Sequence, residues 1–296
     1  MRILILGGSG MIGSCLFQNL GLNNKVFATF RSNPSTYFRN SKDLQEDLFF
    51  NVEARNIKKI KHIALTKEIN VVVNAIGITK QLISELSEKE CSYINSTFPH
   101  DLYKVCDEIG VRLIHLSTDC IFSGSKGFYS EQDAPDADDF YGKSKFIGEI
   151  NQPSALTIRK STIGLEIGKT HGLIEWFLKS SGSIRGYTNA IYSGLTTIEF
   201  SNVLNFIINE QKDLSGIWNI SSSPISKYDL LNKLSIYLNR NDIEIVPDNN
   251  FYCDRSLNGA AFFERTGYLA PSWDKMLDDL SRIIMQRQNK INFSRR

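Results

Sequence analysis

The chain has 296 residues, with 34 basic residues against 32 acidic ones. This near balance leaves no basic footprint for nucleic acid or for an anionic membrane surface, so we expect neither partner. No stretch approaches the ~20 apolar residues of a membrane-spanning helix. The apolar run Ile3–Leu6 is too short for a signal peptide, and a cytoplasmic protein with reduced cysteines is expected.

Short apolar runs alternate with longer helical patterns along the first half of the chain. The alternation predicts parallel strands joined by crossover helices, and fully apolar runs predict a sheet that is covered on both faces. The expected fold class is therefore α/β, a doubly wound parallel sheet. The predicted elements are, in chain order, Arg2–Leu6, Met11–Leu20, Lys25–Phe30, Val52–Ile69, Val71–Ala75, Glu88–Ile109, Val111–Leu116, Phe140–Ile150 and Ala155–Ile158.

The regular alternation ends near residue 160, where glycine- and serine-rich connections begin. One amphipathic pattern, Thr197–Gln211, predicts a helix that returns to the sheet. We expect residues 1–160 to form the main domain, with the returning helix near 196–211. Residues 161–195 and 220–296 are expected to form a smaller, discontinuous region that binds substrate.

A Gly-x-x-Gly-x-x-Gly pattern lies between the first predicted strand and the first predicted helix. Strand, glycine loop and helix in this order are typical of a dinucleotide site, because glycines allow a tight turn and let the backbone approach a pyrophosphate at the helix N-terminus. The loop residues expected to contact the dinucleotide are Gly7, Ser9, Gly10, Met11, Ile12 and Gly13.

The second strand indicates which dinucleotide binds. Sites for NAD usually carry an acidic residue near the end of this strand for the ribose hydroxyls, whereas here the strand ends at Phe30 and is followed by Arg31. Because a guanidinium can pair with a 2′-phosphate, Arg31 favours NADP(H). The adenine is expected to be capped by Asp47 and Leu48, and the cofactor is expected to lie along Ala75, Ile76 and Gly77.

Tyr141 and Lys145 are four residues apart at the start of a predicted helix, so they share one face. An ammonium beside a phenol favours the phenolate, and the pair is therefore expected to bring the pKa of Tyr141 toward working pH. Thr118 follows the fifth predicted strand at the carboxyl edge of the sheet. There its hydroxyl can donate a hydrogen bond to the same substrate carbonyl oxygen as the Tyr141 phenol.

Together with Asn95, these motifs resemble the extended short-chain dehydrogenases/reductases. The sequence Ser-Thr-Asp-Cys-Ile-Phe-Ser-Gly at 117–124 and the helix from Tyr141 to Glu149 resemble more closely the dTDP-4-dehydrorhamnose reductase branch. The resemblance implies Asn95, Tyr141 and Lys145 as cofactor contacts. It also implies Asp119 and Arg255 near the substrate, and Arg185 is expected to contact nucleotide phosphates.

The chain departs from the branch at positions near the expected sugar pocket. Cys120 replaces a tyrosine, and Thr162 stands where the branch usually has an aromatic residue. These departures leave the nucleotide base and the sugar open. The sequence shows no cluster of acidic residues that matches a metal site, and we expect no metal. The resemblance also implies a homodimer through the helices predicted at Glu88–Ile109 and Phe140–Ile150.

The implied reaction is the NADPH-dependent reduction of a 4-keto group on a nucleotide-linked 6-deoxy sugar, for surface polysaccharide. A 4,6-dehydratase is disfavoured, because Thr118-Asp119 is not followed by the glutamate such enzymes use. Two alternatives stay open: an NAD-dependent sugar-nucleotide epimerase, and a non-catalytic nucleotide-binding regulatory subunit like the one in this branch that partners methionine adenosyltransferase.

Overall fold

The computed structural model describes residues 1–32, 46–168 and 172–294. The strands are β1 (Arg2–Leu6), β2 (Lys25–Thr29), β3 (Leu48–Phe49), β4 (Val71–Asn74), β5 (Arg112–Leu116), β6 (Ala155–Arg159), β7 (Thr162–Ile163), β8 (Gly182–Tyr192), β9 (Leu195–Thr196), β10 (Gly216–Asn219), β11 (Ile225–Ser226) and β12 (Ile243–Asp254). The α-helices are α1 (Met11–Leu20), α2 (Ile57–Thr66), α3 (Glu88–Ser92), α4 (Phe98–Glu108), α5 (Phe140–Ile147), α6 (Leu173–Lys179), α7 (Thr197–Glu210), α8 (Lys227–Tyr237), α9 (Ala260–Thr266) and α10 (Trp273–Ser294).

Seven parallel strands form the central sheet in the order β10-β6-β5-β4-β1-β2-β3. Alternate residues of β1 point to opposite faces, and both faces are buried. Ile3 and Ile5 pack in the core that contains α1, α7, α8 and α10, whereas Leu4 and Leu6 pack in the core that contains α2 and α4. The doubly wound parallel sheet predicted from the alternating apolar runs is confirmed.

Several helices are shorter than their sequence patterns predict. The pattern from Val52 becomes helical only at Ile57, because the Asn56 side chain accepts a hydrogen bond from Lys59 N at 3.2 Å and caps the helix there. The predicted helix Glu88–Ile109 is interrupted between α3 and α4 by a π-helical turn at Tyr93–Thr97. Such turns are frequent at functional sites.

The second half of the chain adds two small sheets, β11-β8-β12 and β7-β9. Helix α7 lies against α1: Cys15 Sγ is 3.5 Å from Ser201 Oγ, and Asn24 Nδ2 donates to Asn205 Oδ1 at 3.0 Å. None of the helices within the described ranges is long and apolar enough to cross a membrane.

Candidate active site

The carboxyl ends of β1, β4, β5 and β6 open into one cleft of about 530 Å³. Ligands of open parallel sheets bind at this edge, and the volume is in the usual range of roughly 300–1,000 Å³ for small-molecule sites. The cleft reaches from the glycine loop at one end to the segments that follow β5 and β6 at the other. The cleft can therefore hold a cofactor site and a substrate site side by side.

The glycine loop has the geometry that its sequence predicts. Gly7 has φ +87°, a conformation that L side chains rarely adopt. A Cβ atom on Gly13 would lie 2.2 Å from the Gly7 carbonyl oxygen, so only glycine lets α1 approach the loop this closely. Gly10, Met11 and Ile12 line the cleft at the start of α1. The first amides of the helix, which have no intrahelical acceptor, are thus available to a phosphate group.

The segment after β4 forms the neighbouring wall, where Ala75, Ile76 and Gly77 line the cleft. Asn95 holds this wall in place from the π-helical turn. Its Oδ1 accepts from Ile78 N at 2.9 Å, and its Nδ2 donates to Ile78 O at 3.0 Å and to Ser144 Oγ at 3.1 Å. Asn95 does not line the cleft itself. It joins the cofactor wall to helix α5.

Helix α5 begins against the loop that follows β5. Asp139 caps it by accepting a hydrogen bond from Gly142 N at 2.8 Å, and a Cβ atom on Gly142 would lie 2.2 Å from the Cys120 carbonyl oxygen. This close approach brings Tyr141 and Lys145 to the same cleft as Thr118. The three predicted catalytic residues therefore converge.

The ionisation of the pair differs from the prediction. Burial raises the pKa of the Tyr141 phenol well above its usual value, the neighbouring Cys120 acts in the same direction, and the Thr118 hydroxyl opposes them. The Lys145 ammonium donates to the Leu116 carbonyl oxygen at 2.8 Å. The expectation that the pKa of Tyr141 is brought toward working pH is wrong, because burial shifts this pKa in the opposite direction. Tyr141 is held as a protonated phenol, which is the form that donates a proton.

Burial also lowers the pKa of Lys145 to about 8, against the opposing charge of Glu149. Glu149 forms a buried, bidentate ion pair with Arg159, with Nη2–Oε2 at 2.7 Å and Nε–Oε1 at 2.9 Å. Ser117 Oγ donates to the same carboxylate at 2.7 Å. This pair ties α5 to β6 and to the end of β5. The Gly148-Glu149 motif was visible in the sequence, but its partner was not.

On the substrate side, Thr118 Oγ1 donates to Asp119 Oδ1 at 3.0 Å, and both residues line the cleft. Arg255 reaches the cleft from the end of β12, where its Nε donates to Phe122 O at 2.8 Å. The sequence missed two further cleft residues, Lys160 and Lys227. For Lys160 a signal was available, because it directly follows a predicted strand at the carboxyl edge of the sheet, where ligands of such sheets bind.

Apart from two glycines of the loop and Asn95, five predicted site residues do not line the cleft. Asp47 pairs with Lys25 Nζ at 2.6 Å where β2 begins, at the end of the strand away from the cleft, and Leu48 is buried in the core. Arg185 is exposed on β8 beside Asp248, with Nη1–Oδ2 at 3.6 Å. Arg31 is exposed outside the cleft, although the preceding Phe30 packs under the glycine loop. Ser9 is exposed in the loop itself.

The fold, the glycine loop and the Thr118, Tyr141 and Lys145 set define an extended short-chain dehydrogenase/reductase of the dTDP-4-dehydrorhamnose reductase type. The family model described as the RmlD substrate binding domain matches residues 1–163. This match covers more than half of the chain, and the protein belongs to that family.

Curated relatives match between half and three fifths of the chain. The probable low-salt glycan biosynthesis reductase Agl14 of Haloferax volcanii is 28% identical over 181 residues, which cover 59% of this chain and 57% of that protein. The dTDP-4-dehydrorhamnose reductase of Mycobacterium tuberculosis is 34% identical over 50% of this chain and 44% of that protein. The methionine adenosyltransferase 2 subunit beta of Bos taurus is 27% identical over 50% and 41%, respectively. The chain thus spans about half the length of these relatives.

A solved structure extends the likeness of fold to nearly the whole chain. A dTDP-4-dehydrorhamnose reductase from Bacillus anthracis, in complex with NADP, has a TM-score of 0.75 and 19% sequence identity. The alignment covers 94% of this chain and 98% of that one. The second half of the chain, which the family model does not reach, therefore shares the fold as well.

Proposed function

We propose that this protein is an NADP(H)-dependent reductase of the 4-keto group of a nucleotide-linked 6-deoxy sugar, carrying a dTDP or a UDP nucleotide. The observation that carries the proposal is the convergence of Thr118, Tyr141 and Lys145 on a cleft whose other end is the glycine loop. Hydroxyl and ammonium groups beside a dinucleotide-binding loop are suited to the reduction of a carbonyl group that lies between the cofactor and these side chains. The named reductase relatives support the same reaction class.

The residues present fit a nicotinamide dinucleotide. Gly10, Met11 and Ile12 offer the helix N-terminus to the pyrophosphate, while Ala75 and Gly77 form a wall of small residues along which the cofactor lies. A bound NADPH supplies the hydride that adds to carbon four of the sugar. Arg31, exposed next to the glycine loop, is our proposed partner for the 2′-phosphate. Asp47 and Leu48 are not retained as adenine contacts.

Side chains of the protein donate the proton and position the substrate carbonyl group. The protonated phenol of Tyr141 donates its proton to the oxygen as the carbonyl becomes an alcohol, and Thr118 hydrogen-bonds the same oxygen. Lys145 holds the ribose beside them. Arg255 is our proposed contact for the sugar-nucleotide diphosphate, because guanidinium gives bidentate geometry to phosphate oxygens. Arg185, which lies outside the cleft, is not retained.

The wider setting of the reaction follows from the same resemblance. We place the enzyme in the supply of deoxysugars for surface polysaccharide, in the cytoplasm, where nucleotide sugars are made. Residues 1–160 would bind the cofactor, and residues 161–195 with 220–296 would bind the sugar nucleotide. Phe146 and Ile147 of α5 are exposed, by 43% and 61%, and fit the dimer seam that the resemblance implies.

A second candidate is a nucleotide-binding regulatory subunit, which the likeness to methionine adenosyltransferase 2 subunit beta favours. Titration of NADPH and of NADH, each with and without dTDP- or UDP-glucose, separates the candidates. Preferential binding of NADPH that one nucleotide sugar strengthens supports the reductase. Tightly held NAD that copurifies points to an epimerase, and dinucleotide binding with no effect of any nucleotide sugar points to the regulatory subunit.

A further inference from the structure

Two lysines besides Lys145 lie at the reacting end of the cleft. Lys160 directly follows β6, is only 6% exposed, and its carbonyl oxygen accepts from Asp119 N at 3.3 Å. This hydrogen bond holds the backbone of Lys160 beside Asp119, the residue that follows Thr118. Lys227 is the first residue of α8 and comes to the same cleft from the smaller, substrate-side part of the chain.

Among the described residues, neither ammonium group has an ionic partner. Lys160 Nζ lies 5.1 Å from the centre of the Phe200 ring, and Lys227 Nζ lies 4.1 Å from the centre of the Tyr192 ring. Within the described part of the chain, neither lysine forms an ion pair or a side-chain hydrogen bond. Neither Nζ atom is among the side-chain nitrogens that are fully buried without a hydrogen-bond partner, so both remain accessible from the cleft.

The charges around the two lysines do not balance. Asp119 is the carboxylate that acts on both of them, and it already accepts the Thr118 hydroxyl. Burial lowers the pKa of Lys160 to about 7, and the nearby Lys145 acts in the same direction against Asp119. Burial likewise lowers the pKa of Lys227. Glu166, on another margin of the cleft, accepts Gly172 N at 2.8 Å.

A buried ammonium without a counter-ion is unfavourable, and an anionic ligand relieves this cost. The cleft also has room for such a group at this end. Cys120 and Thr162 both line it, at positions where the family resemblance leads us to expect aromatic side chains. Cys120 acts electrostatically on both lysines, so a small side chain lies beside them in the cleft.

We infer that Lys160 and Lys227 form a subsite for a carboxylate at carbon six of the hexose, in place of the methyl group of a 6-deoxy sugar and in addition to the diphosphate of the nucleotide. The inference rests on the proposed 4-keto reduction of a nucleotide sugar and changes only the substituent at carbon six. The diphosphate joins the sugar at carbon one, across the ring from the carbon that Thr118 and Tyr141 serve. Lys160 accepts a backbone hydrogen bond from Asp119, the residue after Thr118, and so lies on the carbonyl side of the ring. Arg255 remains the candidate for the diphosphate.

The test uses two matched pairs of stable 4-hydroxy nucleotide sugars: UDP-glucuronate with UDP-glucose, and dTDP-glucuronate with dTDP-glucose. Each is titrated into the full chain saturated with NADP⁺, for the wild type, Lys160→Met and Lys227→Met. Lys143→Met is the matched control, because Lys143 is exposed on α5 and does not line the cleft. Methionine is unbranched like lysine, only one atom shorter, and uncharged, so Lys160→Met should unfold at the same temperature as the wild type or higher.

In at least one pair, we expect the glucuronate to bind ten-fold or more tightly than the glucose form in the wild type and in Lys143→Met. In both cleft variants this preference should fall below about three-fold, with binding of the glucose form retained. Equal binding of both sugars by the wild type overturns the subsite while leaving the reductase intact. Equal loss of both sugars in the variants assigns the lysines to the diphosphate and also overturns it. Binding of neither sugar by any variant rejects the proposed function together with the subsite.

Discussion

Replacement of Gly13 by alanine tests whether the glycine loop is a dinucleotide site. The added Cβ atom would lie 2.2 Å from the Gly7 carbonyl oxygen and 2.9 Å from its carbonyl carbon, distances that real Cβ atoms do not show. Both contacts are backbone atoms that cannot rotate away, so α1 and the loop must separate by about 1 Å. A misplacement of about this size can cost on the order of 10²-fold in rate.

We expect Gly13→Ala to lose most of its affinity for NADPH, because the helix amides move away from the pyrophosphate. The matched control is Gly21→Ala at the other end of α1, where φ is −64° and the nearest atom to the new Cβ, Phe17 O, lies at 3.3 Å. Fluorescence titration measures affinity, and thermal unfolding shows whether both variants fold. A folded Gly13→Ala that binds NADPH as tightly as Gly21→Ala would refute the assignment of the loop.

Three further predictions concern charge. Arg31→Ala should weaken NADPH binding and leave NADH binding unchanged in parallel titrations; an equal loss for both would remove Arg31 from the 2′-phosphate. Glu149→Ala leaves Arg159 buried without its partner and should lower the free energy of unfolding by about 3–5 kcal/mol in denaturant titration, and a loss below about 1 kcal/mol would contradict this. Because burial lowers the pKa of Lys145 to about 8, its charged form is lost as pH rises through that value. The kcat/KM for a 4-keto nucleotide sugar should therefore decline above pH 8, and Lys145→Arg should remove the decline; a wild-type profile that stays flat to pH 10 would count against the role of Lys145.

The features that the sequence predicts well are local. The strand, glycine loop and helix from Arg2 to Leu20 depend on neighbouring residues, and the four-residue spacing of Tyr141 and Lys145 places them on one helical face. Both predictions use periodicities that the backbone imposes. The same local logic correctly placed Thr118 at the carboxyl edge of the sheet, because β5 is a short apolar run that ends there.

Features set by distant contacts were not predictable. The sequence shows Glu149 but not that Arg159 forms its buried partner, and it gives no sign that Lys227 joins Lys160 in one cleft. The sequence likewise does not show that Asp47 forms an ion pair with Lys25 at the start of β2. The eleven-residue strand β8 was read as irregular, because most of its residues are at least partly exposed and its glycines mask the strand pattern.

The central claim is that Tyr141 donates a proton during reduction of a sugar ketone. The most direct measurement is the loss of NADPH absorbance when the purified protein meets a dTDP- or UDP-linked 4-keto-6-deoxy sugar, for the wild type, Tyr141→Phe and the exposed control Tyr187→Phe. We expect the wild type and Tyr187→Phe to consume one NADPH per 4-hydroxy sugar formed. Tyr141→Phe should be slower by about 10²-fold or more at unchanged NADPH affinity. A wild-type protein that binds both ligands without turnover, or a Tyr141→Phe variant as fast as the wild type, would contradict the account.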